Sequence, residues 1–111
     1  MQTKVEIDAG ICGFRTAGVA ESDDGQQVTF RIESDCAKIV ELAWQLNPKL
    51  PLDAYGEIDP RTGSILLATA RDVLTGCCAG CAVPVGLFKA MQVTASLALP
   101  KDIAIRLESG T

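Results

Sequence analysis

The first third of the chain alternates apolar and polar residues with a period of two. In "TKVEID", Val5 and Ile7 alternate with Lys4, Glu6 and Asp8, the pattern of a half-buried strand. "FRTAGVAES" is a weaker strand interrupted by Gly18. "ESDDGQ" then supplies a turn before "QVTFRIE", in which Val28, Phe30 and Ile32 share one face. Three strands in a meander are expected.

The period then lengthens. From Cys36 to about Leu46, Ile39, Val40, Ala43 and Leu46 recur at helical spacing, with Lys38 and Glu41 opposite and Ser34 or Asp35 available as N-cap. "NPKLPLDAYGEIDPRTG" reads as loop from its prolines and glycines. "SILLATARDVL" predicts a second helix from Ser64 that stops at Gly76, with apolar positions most of the way round, and hence a well-buried one. A third helix begins near Pro84 and ends before Pro100, with Leu87, Met91 and Ala95 as its inward stripe. Finally "KDIAIRLES" alternates Ile103, Ile105 and Leu107 against Ala104, Arg106 and Glu108, the pattern of a fourth strand. The reading is one α+β domain over residues 1–111, in the order β-β-β-α-α-α-β. It is a four-stranded, mostly antiparallel sheet with three helices on one face.

Composition narrows the function. The chain has 111 residues, about half of them apolar, enough for one core and too few for two. A net charge of -4, with scattered basic residues, argues against nucleic acid or an anionic membrane as partner. "MQTKVEIDAG" lacks the apolar core of a signal peptide, and no later apolar run is expected to approach the roughly 20 residues that span a bilayer. A cytoplasmic location is expected. The absence of histidine removes the commonest general base, the commonest neutral metal ligand and every Ser-His or Cys-His pair.

Cysteine and carboxylate remain. Five cysteines fall short of the roughly 8–10% of a disulfide scaffold, and their number is odd. In a reducing compartment they stay thiols. All five fall at the ends of expected elements: Cys12 in the "AGICGF" turn, Cys36 at the start of the first helix, and Cys77, Cys78 and Cys81 in "TGCCAGCAVP" before the third. Cysteines acting as small core hydrophobes would sit mid-strand or on an inward stripe. Helix N-termini also favour the thiolate. Cys78-Ala79-Gly80-Cys81 is a C-x-x-C whose two thiolates can grip one metal ion or cluster, and Cys12 and Cys36 are the candidates to complete four ligands. Cys77 is the natural spare, or the substitute for Cys78. The spacing matches neither a paired-knuckle zinc finger nor a ferredoxin run.

The expected function is therefore a small non-enzymatic protein that holds zinc or an iron–sulfur cluster on Cys12, Cys36, Cys78 and Cys81. The alternative is a thiol redox or sulfur-carrier protein in which Cys78 attacks and Cys81 resolves, which needs a low thiolate pKa. A third reading is an interaction module whose last strand, lying at a sheet edge, pairs with a partner or forms a weak homodimer. Glu21, Asp23 and Asp24 read as a solvated hairpin turn and not a calcium site. Trp44 reads as a partly buried packing residue.

"DAGICGF", "ESDCAKIVELA" and "CAGCAVPVGLFKAMQVTASLALPKDIAI" together resemble an uncharacterised family of small cysteine-bearing proteins associated with anaerobic bacteria and archaea. The resemblance implies a proline directly after the position of Cys81 and a histidine near that of Cys78. Ala82 and Cys78 depart from that pattern, and a histidine-to-cysteine exchange suits a metal ligand. The resemblance brings no known activity, and an anaerobic setting favours an iron–sulfur cluster.

Overall fold

The computed structural model describes residues 1–110. Strands β1 (Gln2–Asp8), β2 (Arg15–Glu21) and β3 (Gln27–Ser34) form the expected antiparallel meander. Then come helix α1 (Ala37–Leu46), the short strand β4 (Leu52–Asp53), and helices α2 (Ala54–Glu57), α3 (Ile65–Val73) and α4 (Val83–Thr94). The sheet order is β1-β2-β3-β4, with β4 antiparallel to β3.

The register explains the layering. Val5 lies opposite Gly18 and Gly18 opposite Ile32, while Ala20 lies opposite Phe30. These rows face the helices. The alternate row of Lys4, Glu6, Arg31 and Glu33 faces solvent, the usual division of an antiparallel sheet. Helix α4 lies over β1 and β2 and α1 over β3, with α3 packed against both helices. Between these layers Val28, Leu42, Leu46, Leu52, Leu66, Leu87 and Met91 are fully buried. The expected stripe of α4, Leu87, Met91 and Ala95, is buried along its whole length.

Glycine lets α4 approach the sheet. A Cβ on Gly86 would stand 2.5 Å from Ile7 Cδ1 and 2.8 Å from Ile7 Cγ1. Gly86→Ala should therefore destabilise by about 1–3 kcal/mol despite alanine's better helix propensity, because the contact is overpacked. Chemical denaturation of the double variant with Ile7→Ala checks this: its loss should be clearly smaller than the sum of the two single losses.

Several expectations are corrected. Residues 101–110 form no strand and are exposed throughout; the fourth strand is Leu52–Asp53, inside the segment read as loop. The alternation in "KDIAIRLES" gives a capacity to pair, but the tail lies on neither edge of its own sheet. Helix α3 buries one face only: Leu66, Thr69, Ala70 and Val73 are inside, whereas Ile65 and Leu67 are exposed, because nothing packs on its far side. Trp44, on α1, is 80% exposed and lines an open groove of about 600 Å³ with Phe30, Ile32 and Leu50.

The segment Gly76–Thr94, the 3₁₀ turn at Gly76–Gly80 together with α4, is long and apolar enough to cross a membrane by length and composition, in contrast to the expectation that no such run exists. Within it, Val83, Gly86, Leu87, Ala90, Met91 and Thr94 face the protein core. Thr94 Oγ1 lies 2.7 Å from Thr3 Oγ1 and 3.2 Å from the Ala20 carbonyl oxygen, which ties the helix end to the sheet.

Candidate functional site: a cysteine-rich end of the sheet

Chain topology carries all five cysteines toward one end of the sheet. Asp8 pairs with Arg15 across the β1–β2 hairpin, so residues 9–14, including Cys12, close that end. Thr16 pairs with Ser34 and the Asp35 amide donates to the Arg15 carbonyl, which brings Cys36 beside the same end. Gly86, in the first turns of α4, lies against Ile7 near the end of β1, so the segment before α4 arrives there too. That segment holds Cys77, Cys78 and Cys81.

Each cysteine has a distinct local setting. The Gly13 amide donates to the Gly10 carbonyl at 2.9 Å, making Ile11 and Cys12 the centre of a turn. Gly10 and Gly13 have φ of 90° and 75°, a conformation that side chains resist, so this tip depends on its glycines. Cys12 is exposed there. Cys36 is the N-cap of α1, where its carbonyl accepts from the Ile39 and Val40 amides and its own amide donates to Ser34 Oγ at 3.1 Å. Of the two N-caps expected, Ser34 therefore acts one step earlier, by orienting Cys36.

Gly76–Gly80 is a 3₁₀ turn, in which the Cys78 amide donates to the Thr75 carbonyl and the Cys81 amide to the Cys78 carbonyl. Cys81 is the C-cap of this turn and stands three residues after Cys78. Cys36, Cys78 and Cys81 are half-buried against the core, whereas Cys77 is exposed.

Electrostatics link part of this set. Burial raises the Cys78 pKa above its ordinary value; the charge of a Cys77 thiolate, a hydrogen bond with Cys77 and the charge of Cys36 push it further up, and Lys38 opposes them. Cys36, at the start of α1, and Cys77 thus both act on the Cys78 thiol. The direction is opposite to the lowered pKa that an attacking Cys78 requires. The sign for stability follows: the folded state favours the thiol, so this contribution is present below the ordinary thiol pKa and is lost as pH rises through the raised one.

Among the described residues, no three Cys, Asp or Glu side chains already stand in an arrangement that holds a metal ion. The donors nevertheless suit a soft metal, being thiols without histidine. The segments that carry them are also unobstructed, since a Cβ at Gly10, Gly13, Gly76 or Gly80 would meet nothing within 4 Å.

The acidic turn behaves as expected of a hairpin. Asp24 Oδ1 accepts from the Gln26 and Gln27 amides and from Ser22 Oγ, and the two backbone bonds hold the carboxyl pKa below its usual value. Sequence reasoning did not single out Glu57, which is 5% exposed and accepts from Ser64 Oγ, the Ile65 amide and the Leu66 amide. Its role is structural, at the start of α3.

No curated protein and no solved structure matches this chain. A family model does match, over residues 3–107, a span that takes in all five cysteines as well as Ile103, Ile105 and Leu107 of the tail, and by that match the chain belongs to the family of unknown function DUF6951.

Proposed function

We propose that this protein binds a metal ion or an iron–sulfur cluster through the thiolates of Cys12, Cys36, Cys78 and Cys81, and that it does so without catalysing a reaction. The observation that carries the reading is that Cys36, Cys78 and Cys81, from two separate segments of the chain, are half-buried against the same core, with Cys36 and Cys77 both acting on the Cys78 thiol. Clustered thiols disfavour one another's ionisation, and a cation reverses that balance by stabilising every thiolate at once. Half-buried Cys36, Cys78 and Cys81 form one side of the site, and Cys12 on its glycine-flanked hairpin tip supplies the fourth ligand by closing over it. Bound zinc would supply a structural cross-link, and a cluster would supply an electron-transfer centre. A reducing, cytoplasmic setting belongs to this proposal, as does a shared cysteine set in relatives from anaerobic bacteria and archaea.

Purification without oxygen, followed by metal analysis and an absorption spectrum, tests it. Visible colour with iron and sulfide selects the cluster, and one colourless equivalent of zinc selects the structural site. No metal after purification and after reconstitution with zinc or with iron and sulfide removes the reading. Cys36→Ser should lower metal content and thermal stability together, since metal binding and folding are linked, whereas Cys77→Ser should leave metal content unchanged.

A further inference from the structure

The strongest feature outside the cysteine end is the contrast between an open sheet edge and an exposed stretch, residues 101–108, with the alternation of a strand. Strand β1 is the sheet's edge, and the row of Thr3, Val5 and Ile7 that faces the helices is only half-buried. At the other end of the chain, Ile103, Ile105 and Leu107 are 51%, 68% and 92% exposed, although they alternate as one face of a strand. The family match runs to residue 107 and so treats this stretch as part of the unit.

We propose that the tail of one copy adds through Ala104 to Glu108 as an antiparallel strand to the free edge of β1 in a second copy, and that the second tail reciprocates. Charge complementarity argues for it. With Arg106 set opposite Glu6, an antiparallel register brings Glu108 opposite Lys4, Ile105 opposite Ile7 and Leu107 opposite Val5. Both charged pairs are then of opposite sign on the solvent face. Both apolar pairs extend the face that packs on the helices, which is how cross-strand neighbours stabilise a sheet. The added strand also satisfies the edge amides and carbonyls of β1, the principle of strand addition between chains.

A second copy fits better than the chain's own edge. Helix α4 ends beside Thr3, so the tail leaves at the start of β1, and folding back along its own β1 would make it run parallel. The tail is instead exposed along residues 101–108, where a neighbouring copy can reach it. A reciprocal exchange closes as a two-fold dimer in which each contact occurs twice.

Sedimentation of the 111-residue chain over a dilution series tests the proposal. The expected mass is that of two 11.7 kDa chains at high concentration, with amides within residues 104–108 protected from hydrogen exchange. Glu6→Arg and Arg106→Glu should each weaken the dimer by about tenfold, because each places like charges opposite one another at both contacts. Mixing the two variants should restore association, since every reversed position then faces its opposite. A chain that stays single at all concentrations overturns the proposal, whether or not its tail is protected. So does a dimer indifferent to Arg106→Glu and to Ile105→Lys.

Discussion

Glu57→Ala should cost about 2–4 kcal/mol of stability, read as a lowered denaturation midpoint without a change of slope. The carboxylate is buried, and its two oxygens serve three donors: Oε1 accepts from Ser64 Oγ and the Leu66 amide at 2.9 Å each, and Oε2 accepts from the Ile65 amide at 2.7 Å. Ser64 Oγ in turn accepts from the Leu67 amide at 3.0 Å. The first turn of α3 is thus capped by two side chains acting together, one local and one seven residues upstream. Removing Glu57 leaves the Ile65 and Leu66 amides without their acceptor and takes a negative charge from the positive end of a helix. Glu57→Gln keeps the shape but turns one acceptor oxygen into a donor facing donors, so it should recover only part of the loss. An equal midpoint for Glu57→Gln and the parent chain would mean that packing, not acceptance, is what Glu57 contributes.

The same residue marks the limit of what the sequence discloses. Ser64 was legible as the start of a helix because that signal is local, carried by neighbours in the chain. The usual partner in a capping box stands three residues after the cap, and here Leu67 occupies that position. Glu57 reaches the Ile65 and Leu66 amides only because α2 and the turn after it fold back, and no local pattern records that. β4 escaped for a similar reason. Two residues, Leu52 and Asp53, carry no period, and they become a strand because Gln27 and Val28 offer an edge. The converse holds at the C-terminus, where "KDIAIRLES" has the period of a strand but no edge of its own sheet beside it.

For the cysteines, the sequence located their element ends correctly, and topology then explains why those ends are neighbours. Cys36 precedes α1 and "GCCAGC" precedes α4, and both helices lie on the same face of one sheet. Legible in advance was the residue type and the C-x-x-C; the proximity of Cys36 to Cys77 and Cys78 depended on β3 ending where β2 begins. Trp44 was misjudged because its helical neighbours are apolar. Ile39, Leu42 and Leu46 already fill the buried face of α1, and Trp44 projects past the rim of it.

Leu87→Ala should cost about 3–5 kcal/mol, and Gly18→Ala about 1–3 kcal/mol, yet the pair should cost less than the sum. Leu87 is fully buried at the centre of the α4 stripe, so truncation leaves a cavity that neighbours on a four-stranded sheet cannot collapse into freely. The residue beneath it is Gly18, the position that weakened the strand pattern of "FRTAGVAES". A Cβ there would lie 3.1 Å from Leu87 Cδ2 and 3.2 Å from Val5 Cγ1, so Gly18 is small because Leu87 and Val5 close over it. In the parent chain a methyl at position 18 overpacks the contact; in Leu87→Ala it enters the space that the leucine vacated. Denaturation midpoints of the two single variants and the double variant measure the coupling, which should favour the double variant by at least about 1 kcal/mol. Strict additivity would mean that α4 shifts as a body to heal either change, and that the close seating of this helix on β1 and β2 is not held at Gly18.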